Sequence, residues 1–538
     1  MIFVKEENMK NMFKALGLIA TVLTVASFSS CGNKGPAKDK DGNVVISLWY
    51  GAAVTEAGPP PADWVGYDII KKELGIALDM SALPSSENDQ DQKINAAGAA
   101  NTLPDIFMVS NKVLPLLVKQ DLLASVDDMY DMMPGRTSKL YDKASRDFTT
   151  FSVETKKGTE SHSFALAQPG SIVRNEGVLI RKDWLDKLGL KVPVTTDEFF
   201  EVMKAFTFQD PDGNGKDDTW GLGGYLEVSA TNEGLGRRFD PLFGAFGVAG
   251  TWNLSSAETA GLNINKPEYY DAMEYFKKIV DAGVIDPNWK AYKKDDFRAA
   301  WKQGRFGIMR EQNAAYSSKS NYAPFDKNFP EGSWIIVDPP KGPKGLQSAG
   351  TYSQSYRMYA VSQKAASEGK KPYIAKLLEW MSSDEGYYLL GWGVKGENYT
   401  LDANGVPTAN GAPNPFNKSE AQPLTQLRNM VYYNSDTELA SRYPTYVTDV
   451  SKKTINGLEV LRTMQSKPWT ACIGQDKMPQ PGADLDRFYQ QGILEFFTGT
   501  RELNKANWDA WLKEFNAQGG KKWEEAGIAL AKENRYIK

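Results

Sequence analysis

One histidine, His162, stands in a chain of 538 residues. That scarcity excludes a zinc site built on several imidazoles and any chemistry that needs a second histidine as base. Cysteine is almost as rare. The chain has two, Cys31 and Cys472, so its stability must come from a packed core rather than a disulfide framework. Neither sign of charge is in excess: 63 Lys and Arg face 67 Asp and Glu, a formal net charge of −4. This balance gives no electrostatic case for nucleic acid as a partner. Beyond residue 30 no apolar run is long enough to span a bilayer.

What the N-terminus does hold is a targeting pattern. Lys10 and Lys14 flank the start of the apolar run LGLIATVLTVASF, and Ser29, Ser30 and Cys31 follow. A charged start, a short apolar run and small residues before a cut read as a secretory signal over 1–30, with translation starting at Met9 or Met12. A cysteine directly after small residues resembles a bacterial lipoprotein processing site, which implies Cys31 as the lipid-bearing first residue. Phe28 departs from the leucine usual in that pattern, and an ordinary signal with an incidental cysteine is the alternative. Residues 1–30 hold three Lys and two Glu, so the mature chain would carry −4 − (3 − 2) = −5. Residues 31–43, which include GNKGPAKDKDGN, lack an apolar period and read as a flexible tether.

Order begins at VVISLWYG (44–51), a strand by composition. A helix over DWVGYDIIKKELG, a strand at GIALDMSALP, a helix, the strand LPDIFMVSN and the helix VLPLLVKQDLL follow. Strands alternating with helices imply an α/β fold with a mainly parallel sheet. Ligands in such sheets sit beyond the carboxyl ends of the strands, which points to Trp49, Tyr50, Ser110 and Asn111. Further along, TTDEFFEVMKAF opens with a threonine cap and an acidic first turn. RFGIMREQN and SYRMYAVS read as strands, and PYIAKLLEWMSSDEGYYLLGWG as one amphipathic helix.

The stretch DPDGNGKDDTWG (210–221) fits much of a calcium-loop pattern. Asp210, Asp212 and Asn214 take positions 1, 3 and 5, Gly215 the sharp turn at 6, Lys216 a backbone carbonyl at 7 and Asp218 position 9. Gly221 stands where a two-helix calcium sensor needs a bidentate glutamate, which argues against such a sensor. A glycine-rich turn capped by its own aspartates is the plainer alternative. Aromatics are abundant, with 14 Trp and 24 Tyr. Flat rings stack on the apolar faces of sugars, but most aromatics are core material. Trp184, Trp380, Trp508, Trp511 and Trp523 sit in helical patterns and are expected to pack inside.

Several stretches resemble, in order, the bacterial extracellular solute-binding proteins of carbohydrate importers, the lipoprotein branch with the alginate-oligosaccharide binders most of all. These are NTLPDIFMVS, IRKDWLDKLGLKVPVTTDEF (180–199), FGAFGVAGTW, GVIDPNW, WKQGRFGIM, WMSSDEGYYLLGWGVKGENYTLDANG (380–405) and EFFTGTRELNKANWDAWLKEFNAQG. The resemblance implies a two-lobe periplasmic-binding-protein fold, each lobe a mainly parallel sheet flanked by helices. Residues 44–176 with about 357–450 would form one lobe, and 177–356 with about 451–538 the other. Hinge strands would lie near Gly177–Arg181 and Tyr356–Val361 and close the lobes over a ligand.

The resemblance also implies a monomeric, lipid-anchored receptor at the outer face of the cytoplasmic membrane. It would deliver an oligosaccharide to the membrane subunits of an ABC transporter. A short calcium loop of the alginate-binder kind maps onto Asp210, Asp212, Asn214, the carbonyl of Lys216 and Asp218, with Thr219 in place of that group's glutamate and a structural role for the ion. Ligand-facing candidates at strand ends and in loops are Trp49, Tyr50, Asn111, Gln168, Arg174, Trp252, Arg310, Gln312, Tyr352, Arg357 and Trp392. The three arginines fit a uronate, since an arginine fork pairs with carboxylates, or else pair with the chain's own acids near the hinge. Alternatives are the same fold carrying a peptide or another solute, a two-carboxylate glycosidase, and a structural surface lipoprotein. No catalytic residue stands out, and none is assigned.

Overall fold

The computed structural model describes residues 35–51, 61–110, 112–135, 140–170, 174–228, 237–353, 355–410, 423–431, 436–472, 478–533 and 537. Two sheets organise the chain. The first contains β1 (Val44–Gly51), β2 (Ile76–Leu83), β3 (Ile106–Val109), β4 (Leu166–Pro169) and β10 (Ser355–Val361), in the order β2-β1-β3-β10-β4. The second contains β5 (Glu176–Arg181), β6 (Trp220–Leu222), β7 (Phe306–Gln312) and β8 (Trp334–Val337), in the order β8-β5-β7-β6. β9 (Thr351–Ser353) and β11 (Thr470–Cys472) form a separate pair.

The expected α/β class holds, but the pairing is mixed rather than mainly parallel. β1 runs parallel to β2 and β3, whereas β10 enters antiparallel between β3 and β4. In the second sheet β5 is antiparallel to both β7 and β8, and only β6 lies parallel to β7. Strands that return late in the chain, such as β10, need no crossover helix and can pair in either sense.

Both sheets are covered on two faces, which follows from strands that are apolar at successive positions. In β5, Val178 and Ile180 join one core with Trp184, Phe206 and Ile308, while Leu179 points to another with Met309, Trp301 and Phe325. In β1, Val44, Ile46, Leu48 and Tyr50 face a core built with Ile374, Leu378 and Tyr387. The C-terminal helices Ala483–Thr498 and Lys505–Phe515 extend the largest core through Phe496, Trp508 and Trp511. All five tryptophans expected to pack inside are buried.

Three local expectations change. Residues 37–43 are not a loose tether: Val45 N–H donates to Ala37 O at 2.9 Å, and Asp39 Oδ1 accepts from Asn43 N–H at 2.9 Å. The stretch 371–392 is two helices, Lys371–Met381 and Asp384–Trp392. Ser383 breaks it by capping the second helix, its hydroxyl accepting from Gly386 N–H at 3.2 Å. The two strands expected to hinge lie inside the sheets, with β5 hydrogen-bonded on both edges. The segments that join the sheets precede them.

Asp105 in the stretch LPDIF shows how the first sheet is tied. Its Oδ2 accepts from Ser47 N–H at 2.8 Å, and Lys370 Nζ reaches both carboxylate oxygens at 3.0 Å. Both charges are buried, so losing one strands the other in a low-dielectric interior. Lys370→Met is therefore expected to lower unfolding stability by about 3–5 kcal/mol in a denaturant titration; a change below about 1 kcal/mol would remove this pair from the account of the fold.

Candidate functional site: an aromatic corner where the sheets are joined

The chain passes from the first sheet to the second between β4 and β5, and back again between β8 and β10. The β9–β11 pair braces the second passage, with Tyr352 opposite Ala471. Ala349 N–H donates to Pro468 O at 2.7 Å, and Thr470 N–H to Gly350 O at 3.0 Å. The helix Gly457–Ser466 precedes β11, and its Met464 fills the space beside Gly177 of β5, where a Cβ would come within 2.9 Å of Met464 Cγ. β11 is thus carried on the second sheet, while β9 leads into the first.

Two rings meet at this junction. Tyr352 and Trp469 are edge to face, with centroids 6.5 Å apart and planes at 85°. Trp469 Nε1–H donates to Met464 O at 3.0 Å and fixes the indole. The Arg174 guanidinium, at the end of the other passage, lies 5.2 Å from the Tyr352 ring, and that of Arg310 lies 5.7 Å from the Trp469 ring. Tyr352, Trp469 and Arg174 are half-buried. A right-angled pair of rings with polar groups beside it offers an apolar face and hydrogen-bond donors together, the general make-up of a small-molecule site.

Behind the rings lies a buried chain of charge. Arg310 Nη1 stands 3.1 Å from Glu176 Oε2 and 3.8 Å from Asp240 Oδ2. Arg238 Nη1 donates to Arg310 O at 2.6 Å and lies 3.2 Å from Glu311 Oε1. Arg298 closes on the same carboxylate at 3.1 and 3.2 Å. Burial works against the charge on Arg238, but the carboxylates of Glu176 and Glu311 outweigh it and raise its pKa. Three guanidiniums against three carboxylates leave these six residues balanced.

The structure brings together Arg174, Arg310 and Tyr352 from the sequence candidates. Gln312 ends β7 beside them, half-buried, its N–H bonded to Glu311 Oε1 at 2.8 Å. Arg310 pairs with the chain's own acids, Glu176 and Asp240. Arg357 sits at an irregularity in β10, with φ 34° and a register shift between Ser355 and Met358. Gln168 lies buried within β4, its amide donating to Asn429 O and Met430 O at 2.7 Å. Trp49 is half-buried under Lys93 Nζ at 4.5 Å, while its neighbour Tyr50 turns into the core, where burial raises its pKa.

Of the two tryptophans favoured for loop positions, Trp252 packs inside and Trp392 stays half-buried. Trp252 is 4 % exposed and lies against Trp523 at 5.3 Å, in the C-terminal helical layer. Trp392 ends a helix at 6.5 Å from Tyr399. Asn111 lies outside the described residues. Trp469 was not among the candidates. Its signal is the context SKPWT, a lone tryptophan after a proline, outside any helical period.

The acidic loop is a tight turn. Asp210 has φ 46°, and its carboxylate accepts from the N–H groups of Gly213, Asn214 and Gly215 at 2.9, 3.1 and 3.0 Å. Those bonds, that from Gly215 foremost, lower its pKa, whereas desolvation and the Asp210 carboxyl raise that of Asp212. Asn214 Nδ2 donates to Asp212 Oδ2 at 2.9 Å and Asp218 Oδ1 at 3.1 Å. Thr219 faces the other way, buried, with Oγ1 donating to Phe206 O at 2.9 Å. Among the described residues no three acidic, histidine or cysteine side chains gather as they stand around one metal position. Asp210, Asp212, Asn214 and Asp218 carry oxygens of the type a hard cation takes, and here Asn214 Oδ1 accepts from Lys216 N–H at 2.8 Å.

His162 lies on an edge hairpin (150–163), its ring nitrogens 2.8 Å from Asp127 Oδ2 and 3.3 Å from Glu160 Oε2. These carboxylates, Asp127 first, raise its pKa.

The model of the family described as bacterial extracellular solute-binding protein matches residues 40–388. Lipoprotein LipO of Bacillus subtilis is 23% identical over 524 residues, covering 95% of this chain and 96% of that protein. The polygalacturonan/rhamnogalacturonan-binding protein YtcQ of the same organism is 24% identical over 532 residues, with 95% and 96% covered. The solved structure of the alginate-binding protein AlgQ2 without calcium ion shares the fold at a TM-score of 0.52 and 15% identity, over 90% of this chain and 97% of that one.

Proposed function

Because this chain belongs to the bacterial extracellular solute-binding proteins, we propose that it captures an oligosaccharide outside the cytoplasm and hands it to the membrane subunits of an ATP-driven importer. It does so as a receptor, without turnover. The observation that carries this reading is the Tyr352–Trp469 corner at the passages between the sheets. A sugar ring has an apolar face to lay on one ring, and Arg174 lies within reach of hydroxyl or carboxylate oxygens. A polygalacturonan-binding relative of nearly full length supports a carbohydrate ligand and makes a uronate the first to try. Closure about the two passages would enclose it.

In the same reading Asp210, Asp212, Asn214, the Lys216 carbonyl and Asp218 hold a calcium ion that staples the loop to the second sheet. Cys31, outside the described residues, carries the lipid that holds the receptor at the membrane, and a lipoprotein relative supports this. Among the described residues no helix is long and apolar enough to cross a membrane.

Isothermal titration with galacturonan oligosaccharides, neutral fructans and mixed peptides tests the ligand class. One oligosaccharide class should bind and be recovered intact, and Trp469→Ala or Tyr352→Ala should weaken it about tenfold or more. Binding of peptides alone, or cleavage of the sugar, would contradict the reading. Calcium at 100 times its dissociation constant should add about 2.7 kcal/mol of stability. A chelator should remove that gain, and Asp212→Asn should make the protein indifferent to both; equal melting with and without calcium would leave the loop a turn. Labelled palmitate should enter the exported protein and be lost in Cys31→Ser; labelling that survives the substitution would refute Cys31 as the anchor.

A further inference from the structure

We infer that Arg310 is a positioning residue for the aromatic corner: it sets the plane of Trp469 and ties both passages between the sheets to one rigid point. This rests on the corner being the binding site. At 3 % exposure Arg310 is too deep to meet a ligand itself, so its influence must run through what it touches.

Four separate pieces of chain converge on its guanidinium. Glu176 begins β5, directly after the first passage, and its carboxylate lies 3.1 Å from Nη1. Asp240, from the helix Asp240–Gly244, lies 3.8 Å from the same atom. Gly350, in the second passage, lies so close that a Cβ there would stand 2.3 Å from Nη2. Trp469 presents its ring 5.7 Å from Cζ. The arginine's own backbone is held as well, since Arg238 donates to its carbonyl. Gly350 has φ 143°, a conformation that suits glycine, and only a residue without a side chain leaves the guanidinium its place.

A planar fork can pair with a carboxylate, lie along a backbone and present a face to a ring at once, and an ammonium cannot. Lysine at 310 would keep the charge and lose the geometry. Trp469, held then by its bond to Met464 O and its edge contact with Tyr352, would be able to tilt.

The test is fluorine NMR on the full chain labelled with 5-fluorotryptophan, with the Trp469 resonance identified by its absence in Trp469→Phe. Arg310→Lys and Gly350→Ala should each shift or broaden that resonance. Arg298→Met, which breaks the far end of the same buried charge chain, should lower the melting temperature and leave it in place. With a galacturonan trisaccharide as probe, Arg310→Lys should raise Kd about tenfold or more, and Arg298→Met should not. An unmoved Trp469 resonance in Arg310→Lys, or an equal shift in Arg298→Met, overturns the positioning role whether or not the trisaccharide binds. An unchanged Kd in Trp469→Ala would instead sink the binding corner, leaving the Arg310–Trp469 contact to be judged on the resonance alone.

Discussion

Two sheets built from one chain must be joined by segments that leave one interior and enter the other. Beside that junction the charges of Glu176, Arg238, Asp240, Arg310 and Glu311 are buried. A buried guanidinium or carboxylate is tolerated only when paired and hydrogen-bonded. The chain pairs its charges here in the series Arg298, Glu311, Arg238, Glu176, Arg310 and Asp240, at ion-pair distances of 3.1 to 4.0 Å. Such a series adds little net stability compared with an apolar filling, but it admits few alternative arrangements. Its Arg310–Glu176 pair joins the end of β7 to the start of β5.

The candidate site lies beside that pair. Tyr352 and Trp469 come from segments far apart in the chain and meet because β9 and β11 pair across the second passage. A site between two sheets changes shape when the sheets move, so rings placed here can report and favour closure. Rings buried within either sheet's own core, such as Trp301 or Tyr387, cannot. The same reasoning separates Trp469, half-buried at the junction, from Trp252, which the C-terminal helices enclose.

The elements of this fold were legible where the period was strong. VVISLWYG is β1 to the residue, and TTDEFFEVMKAF opens with a capping box on Thr195. Pairing direction was not legible, because β10 reaches the first sheet after an excursion of some 180 residues and nothing in SYRMYAVS records which neighbour it will meet. Of the site, Arg174 and Tyr352 could be placed by their position after strands or in loops. Trp469 could not, because its partner Tyr352 lies 117 residues earlier and the contact depends on the parallel β9–β11 pair. Tyr50 misled for a simpler reason: neighbouring strand residues face opposite ways, so a strand end that offers Trp49 to one side must bury Tyr50 on the other.

The central claim is that an oligosaccharide binds at this corner, and a crystal structure of the chain with a bound galacturonan oligosaccharide tests it most directly. The account predicts a sugar ring against Trp469 or Tyr352 with Arg174 within hydrogen-bond distance of its oxygens. A sugar seated elsewhere, with the corner left as it is here, would contradict it.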